Sequence, residues 1–298
     1  MLSYDVVDVF TDRPFAGNQL AVVHGAESLS TSQCLALAQE FGFSETTFPV
    51  PRTDDAYSTR IFTPGTEIPF AGHPTLGTAW VLRSRGLLSA TEITQHCGAG
   101  EIRVRFLSEE EVELSAAPRD LVGPLDDALV ASILEDVGLS LSAVAGPVWV
   151  AGTGLSFVHL PVLEDAVAAA RPSMRPLQEY ADRIGAVGAA ADPVEGINLH
   201  AVTGGAPDLE VHARVFVPGL SVPEDPATGS AAAGLGMALV AGGRLPEGGR
   251  YVITQGVEMG RPSQLRGRVE VESGVATRCH VAGGVEQVAT GRIAVPPA

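Results

Sequence analysis

The chain has 298 residues, 45% of them hydrophobic and 18% charged, which is typical of a globular protein with a sizeable core. Its formal net charge of −16 would repel phosphate backbones and anionic lipid head groups, and no Lys/Arg cluster offsets this charge locally. We therefore expect no nucleic acid and no membrane as a partner, and no apolar run approaches the roughly 20 residues that cross a bilayer.

The first residues indicate a strand and lack the basic and apolar regions of a secretion signal. Cys34, Cys97 and Cys279 lie far apart and fit neither a disulfide framework nor a zinc site. The seven histidines show no metal-ligand spacing such as His-Glu-x-x-His. We predict a cytoplasmic protein without a bound metal.

Glu45 is the one charged residue in the aromatic and β-branched stretch 41–50. If this stretch is a strand, Glu45 shares a face with Phe43 and Thr47. A carboxyl group surrounded by apolar side chains is disfavoured as an anion and can titrate near neutral pH, which suits a general acid or base. The alternative is an exposed glutamate on an edge strand.

The chain repeats a ten-residue pattern. Residues 60–69 return without gaps as residues 214–223, with Arg, Phe, Pro, Gly and Pro identical at the same offsets. Each copy precedes a predicted helix and then a segment that begins Ile-Thr-Gln, at Ile93 and at Ile253. A repeat of about 154 residues that occurs twice suggests two similar α/β domains that face each other, not a solenoid.

The first of these helices is predicted from residue 72 to about residue 83. His73 would then lie at the positive helix end, which favours the neutral imidazole, and a neutral histidine in a cleft can relay a proton. A histidine in this position can equally be a local cap or a packing residue.

The second helix is predicted from Asp225 to about residue 241, with Asp225 as its cap and Pro226 at the first helical position. The backbone N–H groups of Thr228, Gly229 and Ser230 could bind a carboxylate or phosphate at this helix start. The alternative is a capped helix with a purely structural role. No P-loop pattern is present, so nucleotide binding is not supported.

Period-two runs such as residues 102–106 and 209–216 predict that much of each half is strand. Further helices are predicted at residues 32–41, 126–137 and 175–184, and the Gly/Ala-rich residues 186–193 are predicted to form a loop. The first half is expected to cover residues 1–118, to which a C-terminal strand at 284–298 can return. The second half is expected to cover residues 125–283, with the active site in the cleft between the two halves.

Five motifs, taken in order along the chain, resemble the PhzF-like family of phenazine biosynthesis. They are residues 15–18, 43–48, 60–75, 224–231 and 255–263. One departure is Gln19, where the family usually has proline, and this difference alters a turn and not the chemistry. The resemblance implies an α+β, diaminopimelate epimerase-like fold. In this fold two pseudo-symmetric halves each form a curved, mostly antiparallel sheet or barrel around a central helix, and members are commonly dimeric.

The same resemblance implies a cofactor-independent isomerase of secondary metabolism that acts on a small carboxylate. In the family's type reaction, trans-2,3-dihydro-3-hydroxyanthranilate is isomerised by moving a hydrogen from C3 to C1. By resemblance the general acid/base falls on Glu45, the supporting polar residues on His73, Asp225 and Ser230, and the carboxylate contacts on the backbone of Gly72, Gly229 and Ser230.

Two alternatives compete with this interpretation. An amino-acid racemase or epimerase of the same fold normally uses a pair of cysteines, and neither predicted helix start contains one. A non-catalytic binding homologue could keep the fold and lose the chemistry. The presence of Glu45, His73, Asp225 and Ser230 together argues against this second alternative.

Overall fold

The computed structural model describes residues 1–172, 194–206, 208–218 and 223–297. The chain divides into two compact units. Unit 1 contains Met1–Leu114 and Ala282–Ala298, and unit 2 contains Ser115–Val281. The halves predicted from the sequence, residues 1–118 and 125–283, have nearby but not identical bounds.

Strands dominate the described residues. In chain order they are β1 (Leu2–Val9), β2 (Asn18–His24), β3 (Glu45–Thr53), β4 (Ala56–Phe62), β5 (Glu67–Ile68), β6 (Glu92–Cys97), β7 (Gly100–Phe106), β8 (Glu111–Ala116), β9 (Asp120–Val122), β10 (Trp149–Gly152), β11 (Ser156–Pro161), β12 (Val194–Gly205), β13 (Asp208–Phe216), β14 (Glu224–Asp225), β15 (Gly249–Gln255), β16 (Ser263–Glu272) and β17 (Val275–Ile293). The helices are α1 (Thr31–Phe41), α2 (Gly72–Ser84), α3 (Asp127–Asp136), α4 (Glu164–Ala169) and α5 (Gly229–Ala241), with a 3₁₀ turn at Leu141–Ala143.

The strands of unit 1 close a ring. β1 pairs antiparallel with β17 and β2, and β2 pairs parallel with β3. β3 pairs antiparallel with β4, which pairs parallel with β6, and β7 lies antiparallel between β6 and β8. Because β8 also pairs with β17, eight strands form a closed barrel.

The helix α2 lies within these strands. It packs against β1, β2 and β3, and most of its residues are buried, including its first turn. A helix that is buried on nearly all sides needs small residues where strands come close. At Gly77 a Cβ atom would come within 2.8 Å of the side chains of Leu20 and Val9, so glycine permits the close approach of α2 to the barrel wall.

Unit 2 repeats the pairing order of unit 1. β9, β10 and β11 pair antiparallel in sequence, β11 pairs parallel with β12, and β12 pairs antiparallel with β13. β13 pairs parallel with β15, and β15 pairs antiparallel with β16, beside which β17 lies. The helix α5 packs against β10, β11 and β16 and is almost completely buried. A curved sheet around a central helix in each unit confirms the predicted α+β architecture.

The repeated arginine and phenylalanine have the same structural role in both units. Arg60 lies over the ring of Phe62 at 5.0 Å, and Arg214 lies over the ring of Phe216 at 4.9 Å. Each guanidinium also makes a two-pronged ion pair with a glutamate of the following short strand, Glu67 on β5 or Glu224 on β14. The repeated pattern therefore stabilises the chain segment that precedes each central helix.

The predicted helices at residues 32–41, 72–83 and 126–137 are confirmed. Ser30 caps α1 through a capping box with Gln33, and Asp126 caps α3 by accepting the N–H of Leu129 at 2.8 Å. The predictions for residues 175–184 and 186–193 lie outside the described residues. No helix in the described part of the chain is long and apolar enough to span a membrane.

Two local predictions were wrong. The last central helix begins at Gly229 and not at Asp225, because residues 224 and 225 pair with β13 as the short strand β14. Asp225 is therefore not the helix cap. Phe43 lies before β3, which begins at Glu45, so Phe43 and Glu45 do not share a strand face.

We predict that Gly77→Ala lowers the free energy of unfolding by about 1–3 kcal/mol, because the added methyl group overpacks the contact with Leu20 and Val9. Helix propensity alone would act in the opposite direction, by about 0.5–1 kcal/mol. Urea unfolding measures the change. Gly205→Ala is the control, since a Cβ atom there meets nothing within 4 Å. An unchanged or higher stability of Gly77→Ala would contradict this packing.

Candidate active site

Glu45 opens β3 and pairs with Leu20 of the parallel strand β2. Its side chain is 17% exposed, and its Oε2 is buried without a hydrogen bond from any described residue. Burial raises the pKa of the Glu45 carboxyl to about 7, and the neighbouring Ser44 hydroxyl offsets only part of this effect. Both charge states are then populated at neutral pH, as a group that takes and returns a proton requires.

His73 is the second residue of α2, and its side chain is 6% exposed. Its Nε2 lies 3.5 Å from Glu45 Oε2 and 3.3 Å from the backbone oxygen of Gln19. On the other side of the ring, the amide nitrogen of Asn18 lies 3.4 Å from Nδ1. Since an amide NH₂ donates and a carbonyl accepts, these contacts favour the neutral imidazole with its hydrogen on Nε2.

The amide of Asn18 is itself oriented by a neighbouring hydroxyl. Ser44 donates its hydroxyl to Asn18 Oδ1 at 3.2 Å, which turns the NH₂ group of Asn18 towards His73. Asn18 and Ser44 lie in the motifs at residues 15–18 and 43–48, but sequence reasoning gave neither of them a role. Their meeting depends on the parallel pairing of β2 with β3, which no local pattern shows.

A second cluster surrounds the start of α5 in unit 2. Thr228 donates its hydroxyl to Asp225 Oδ2 at 2.6 Å. The Gln255 amide donates to the backbone oxygen of Asp225 at 2.7 Å and to Thr228 Oγ1 at 3.1 Å. The half-buried Ser230 makes no side-chain hydrogen bond with the described residues, which leaves its hydroxyl available to a ligand.

The repeated Ile-Thr-Gln segments place an equivalent glutamine beside each central helix. In unit 1 the buried Gln95 donates to Thr75 Oγ1 at 2.9 Å and accepts the hydroxyl of Tyr57 at 2.6 Å. In unit 2 Gln255 contacts Thr228 in the same way. Sequence reasoning detected this repeat but gave the glutamines no role, because their partners lie on another element.

Both central helices begin without a side-chain cap. Ala71 precedes α2 and has no side-chain oxygen, and the Thr228 hydroxyl donates to Asp225 and makes no capping hydrogen bond with α5. By contrast, α1 and α3 have capping side chains. Uncapped N–H groups at Gly72 and at Gly229 are suited to an anion, because a helix start combines unsatisfied donors with a partial positive charge.

The structure thus brings together Glu45, His73 and Gly72 within unit 1, and Asp225, Thr228, Gly229 and Ser230 within unit 2. Among the described residues no group of three or more His, Cys, Asp or Glu side chains is arranged to hold a metal ion. The chemistry offered in unit 1 is proton transfer by a carboxyl group that titrates near neutral pH and lies beside an imidazole. Unit 2 offers hydroxyl and backbone N–H groups for binding.

Comparison with known proteins agrees with this arrangement. The family model for phenazine biosynthesis-like protein matches residues 7–291. The trans-2,3-dihydro-3-hydroxyanthranilate isomerase of Pseudomonas fluorescens is 34% identical over 287 residues, covering 95% of this chain and 96% of that protein. An uncharacterized isomerase of Escherichia coli is 30% identical and covers 89% of this chain and 88% of its own length.

Solved structures agree on the fold. A predicted epimerase from Pseudomonas aeruginosa superposes with a TM-score of 0.80 at 29% identity, over 98% of this chain and 99% of that one. A probable proline racemase from Agrobacterium radiobacter has a TM-score of 0.65 at 13% identity, over 100% of this chain and 94% of its own, which bears on the fold alone. The fold is therefore diaminopimelate epimerase-like, and the protein belongs to the class of isomerases that have this fold. Within that class, the chain belongs to the phenazine biosynthesis-like (PhzF) protein family, as the motifs predicted.

The raised pKa of Glu45 predicts a specific pH dependence of stability. Because the folded-state pKa of about 7 exceeds the ordinary value of 4.5, the native state binds the proton more tightly than the unfolded state does. The contribution of Glu45 to stability is therefore fully present below pH 4.5 and is lost as pH rises towards 7. The difference in unfolding free energy between wild type and Glu45→Gln should fall across this range by on the order of 3 kcal/mol.

Urea unfolding at several pH values measures this difference. Subtracting the unfolding free energy of the variant from that of the wild type removes the contribution of all other titrating groups. Glu40→Gln, at an exposed position, controls for the loss of one carboxylate. A difference between wild type and Glu45→Gln that stays constant from pH 4 to pH 8 would show that Glu45 titrates as an ordinary carboxyl group.

The hydrogen-bond chain through Asn18 predicts the tautomer of His73. In the wild type the imidazole hydrogen should lie on Nε2. In Asn18→Asp, which has the same shape but no NH₂ donor, the hydrogen should move to Nδ1 or the ring should become doubly protonated. Nitrogen-15 chemical shifts of the His73 ring distinguish these states. Ser44→Ala keeps the donor and should shift the tautomer less; identical ring shifts in wild type and Asn18→Asp would refute the assignment.

Proposed function

We propose that the protein is a cofactor-independent isomerase that moves a proton between two carbons of a small conjugated carboxylate substrate. Glu45 takes the proton from an activated C–H group and returns it elsewhere on the same conjugated system. The observation that carries this proposal is the buried Glu45 carboxyl with a pKa of about 7 and an Oε2 that accepts no hydrogen bond from the described residues.

His73 is proposed to support Glu45. A neutral imidazole with its hydrogen on Nε2, 3.5 Å from Glu45 Oε2, can stabilise the carboxylate that forms when Glu45 gives up its proton. It can also hand that hydrogen to a polar group of the substrate. Asn18 and Ser44 act through His73 and are proposed as positioning residues.

The carboxylate of the substrate is proposed to bind at an uncapped helix start, by backbone N–H groups of Gly72 or of Gly229 and Ser230. Binding of the carboxylate fixes the orientation of the conjugated carbons and so keeps the reacting carbon within reach of the base. Asp225 and Thr228 are proposed to hold other polar groups, since their mutual hydrogen bond fixes both side chains.

The substrate we propose to test first is trans-2,3-dihydro-3-hydroxyanthranilate, because the relatives from three Pseudomonas species are named as isomerases of this compound. In this molecule the proton at C3 is removed and a proton is added at C1, so that the double bonds shift and no atom is gained or lost. A homodimer in the cytoplasm is proposed from the family resemblance, and the free state of Cys34, Cys97 and Cys279 is in keeping with a reducing compartment.

A cysteine-based racemase is disfavoured by the chemistry of the thiols. Cys34 and Cys279 are buried, and burial raises the pKa of the Cys279 thiol to about 12. Cys97, at the end of β6, is the one thiol of the three that is not buried. No pair of opposed thiols is therefore available beside the two helix starts.

The test is turnover of trans-2,3-dihydro-3-hydroxyanthranilate, followed by proton NMR in deuterated buffer. Wild type and Glu40→Gln should convert it, whereas Glu45→Gln should lose about 10²–10⁴-fold in rate because the general acid/base is gone. Circular dichroism and urea unfolding confirm that the variant is folded. Equal turnover by Glu45→Gln and wild type would overturn the role of Glu45, and no turnover by folded wild type would overturn this substrate.

A further inference from the structure

Unit 2 contains a cavity of about 230 Å³ that the proposed reaction does not use. Ala238, Leu239 and Gly242, at the C-terminal end of α5, form one wall of it. The proposed binding groups Gly229 and Ser230 lie at the other end of this 13-residue helix, roughly 20 Å away at 1.5 Å per residue. The cavity is therefore separate from the cluster at the helix start.

The inner part of the cavity contains two buried histidines. His159 is fully satisfied, because its ring nitrogens contact the backbone oxygen of Ala151 at 3.2 Å and the Asn198 amide at 3.1 Å. His200 differs. Its Nδ1 lies 3.2 Å from the backbone oxygen of Asn198, but its Nε2 makes no hydrogen bond with the described residues.

His200 is 3% exposed, and burial lowers the pKa of its imidazole to about 4. The ring is therefore neutral at physiological pH, and with its hydrogen on Nδ1 the Nε2 atom is an acceptor. An acceptor that faces a cavity can take a hydrogen bond from a bound molecule or from water. This part of the cavity is thus suited to a hydroxyl or amino group.

A donor at the rim completes the polar lining. Trp149 also lines the cavity, but its indole Nε1 is buried away from the cavity surface and has no partner among the residues that the structure describes. At the rim, the exposed Arg244 has no hydrogen bond or ion pair from its guanidinium group to the described residues. In contrast, the carboxylate of Glu164 at the rim is engaged by His212 at 2.9 Å. The guanidinium of Arg244 is therefore the cationic group at this rim that is available to a ligand.

The remaining walls are apolar and include Val162, Leu163 and Val202. An apolar cavity of about 150 Å³ is enough to hold benzene, so about 230 Å³ suits one ring with two small substituents. Water alone could form hydrogen bonds with the polar atoms of the lining, but the apolar walls would then remain in contact with water.

We propose that this cavity is a second binding site, for a small cyclic carboxylic acid that also carries a hydroxyl or amino group. Its carboxylate pairs with Arg244, its ring lies against the apolar walls, and its hydroxyl or amino group donates to His200 Nε2.

The test uses 3-hydroxybenzoate as the probe, with Trp149 as the reporter. Trp80 and Trp149 are the two tryptophans of the sequence, so Trp80→Phe leaves a single indole N–H signal in a proton–nitrogen correlation spectrum. We expect a saturable shift of this signal with 3-hydroxybenzoate. Benzyl alcohol, which lacks the carboxylate, and benzoate, which lacks the donor, should each bind about tenfold more weakly.

Variants in the Trp80→Phe background locate the binding. Arg244→Gln, at an exposed position, should weaken binding of 3-hydroxybenzoate by about tenfold without threatening the fold. Ala238→Leu should abolish it by filling the cavity, whereas Arg278→Gln, an exposed arginine outside the cavity, should leave it unchanged.

Two results would overturn the proposal. One is the absence of a saturable shift at millimolar 3-hydroxybenzoate, which would mean that the cavity holds only water. The other is equal affinity in the parent and in Arg244→Gln, which would mean that the probe binds elsewhere, for example at a helix start. Neither result bears on turnover by Glu45, which is measured separately.

Discussion

Each unit encloses a helix within strands, and the polar groups at the start of that helix therefore have to find partners in the interior. A buried helix start costs free energy for every N–H group that lacks an acceptor. Next to each helix start the same residue type binds a threonine side chain: the Gln95 amide donates to the Thr75 hydroxyl in unit 1, and the Gln255 amide donates to the Thr228 hydroxyl in unit 2. Loss of either glutamine amide would leave several buried polar atoms without partners at once. Each glutamine also contacts a second group, Tyr57 in unit 1 or the Asp225 backbone in unit 2.

The helices differ in capping: side chains cap α1 and α3, whereas α2, α5 and the short helix α4 have no side-chain cap. Ser30 and Asp126 satisfy the first turns of α1 and α3, and nothing further is needed there. The starts of α2 and α5 have no such side chain although they are buried. Buried N–H groups without a cap lower the stability of the folded protein. A bound carboxylate can accept hydrogen bonds from these N–H groups and so offset this cost. The same reasoning applies to Glu45, whose burial disfavours the charged form that the proposed reaction regenerates in every turnover.

The sequence predicted the parts of the fold that depend on local chemistry or on repetition. The internal repeat predicted two similar halves, and the predicted bounds of α1 and α3 agree with the structure within one or two residues. The start of α5 was misplaced because Asp225 has the local signature of a cap, whereas its pairing as part of β14 depends on a strand ten residues earlier. Asn18 and Ser44 could not be assigned a role for a similar reason, since their contact with His73 follows from the order of strands in the barrel and from no spacing along the chain.

A shared pair of residues shows how similar scaffolds can support different chemistry. In unit 1 the amide nitrogen of Asn18 faces Nδ1 of His73, and in unit 2 the amide nitrogen of Asn198 faces Nδ1 of His159. Both rings are buried and have a backbone oxygen near Nε2.

The two rings differ in the titratable group beside them. The carboxyl of Glu45 lies 3.5 Å from His73, whereas His159 lies beside His200. Burial, together with His200, lowers the pKa of His159 to about 3. An imidazole beside a carboxyl that titrates near pH 7 can assist proton transfer, while an imidazole held neutral beside another can only shape and polarise a cavity. The proposed proton transfer at His73 and the proposed second binding site beside His159 therefore depend on different neighbours of the same Asn–His pair.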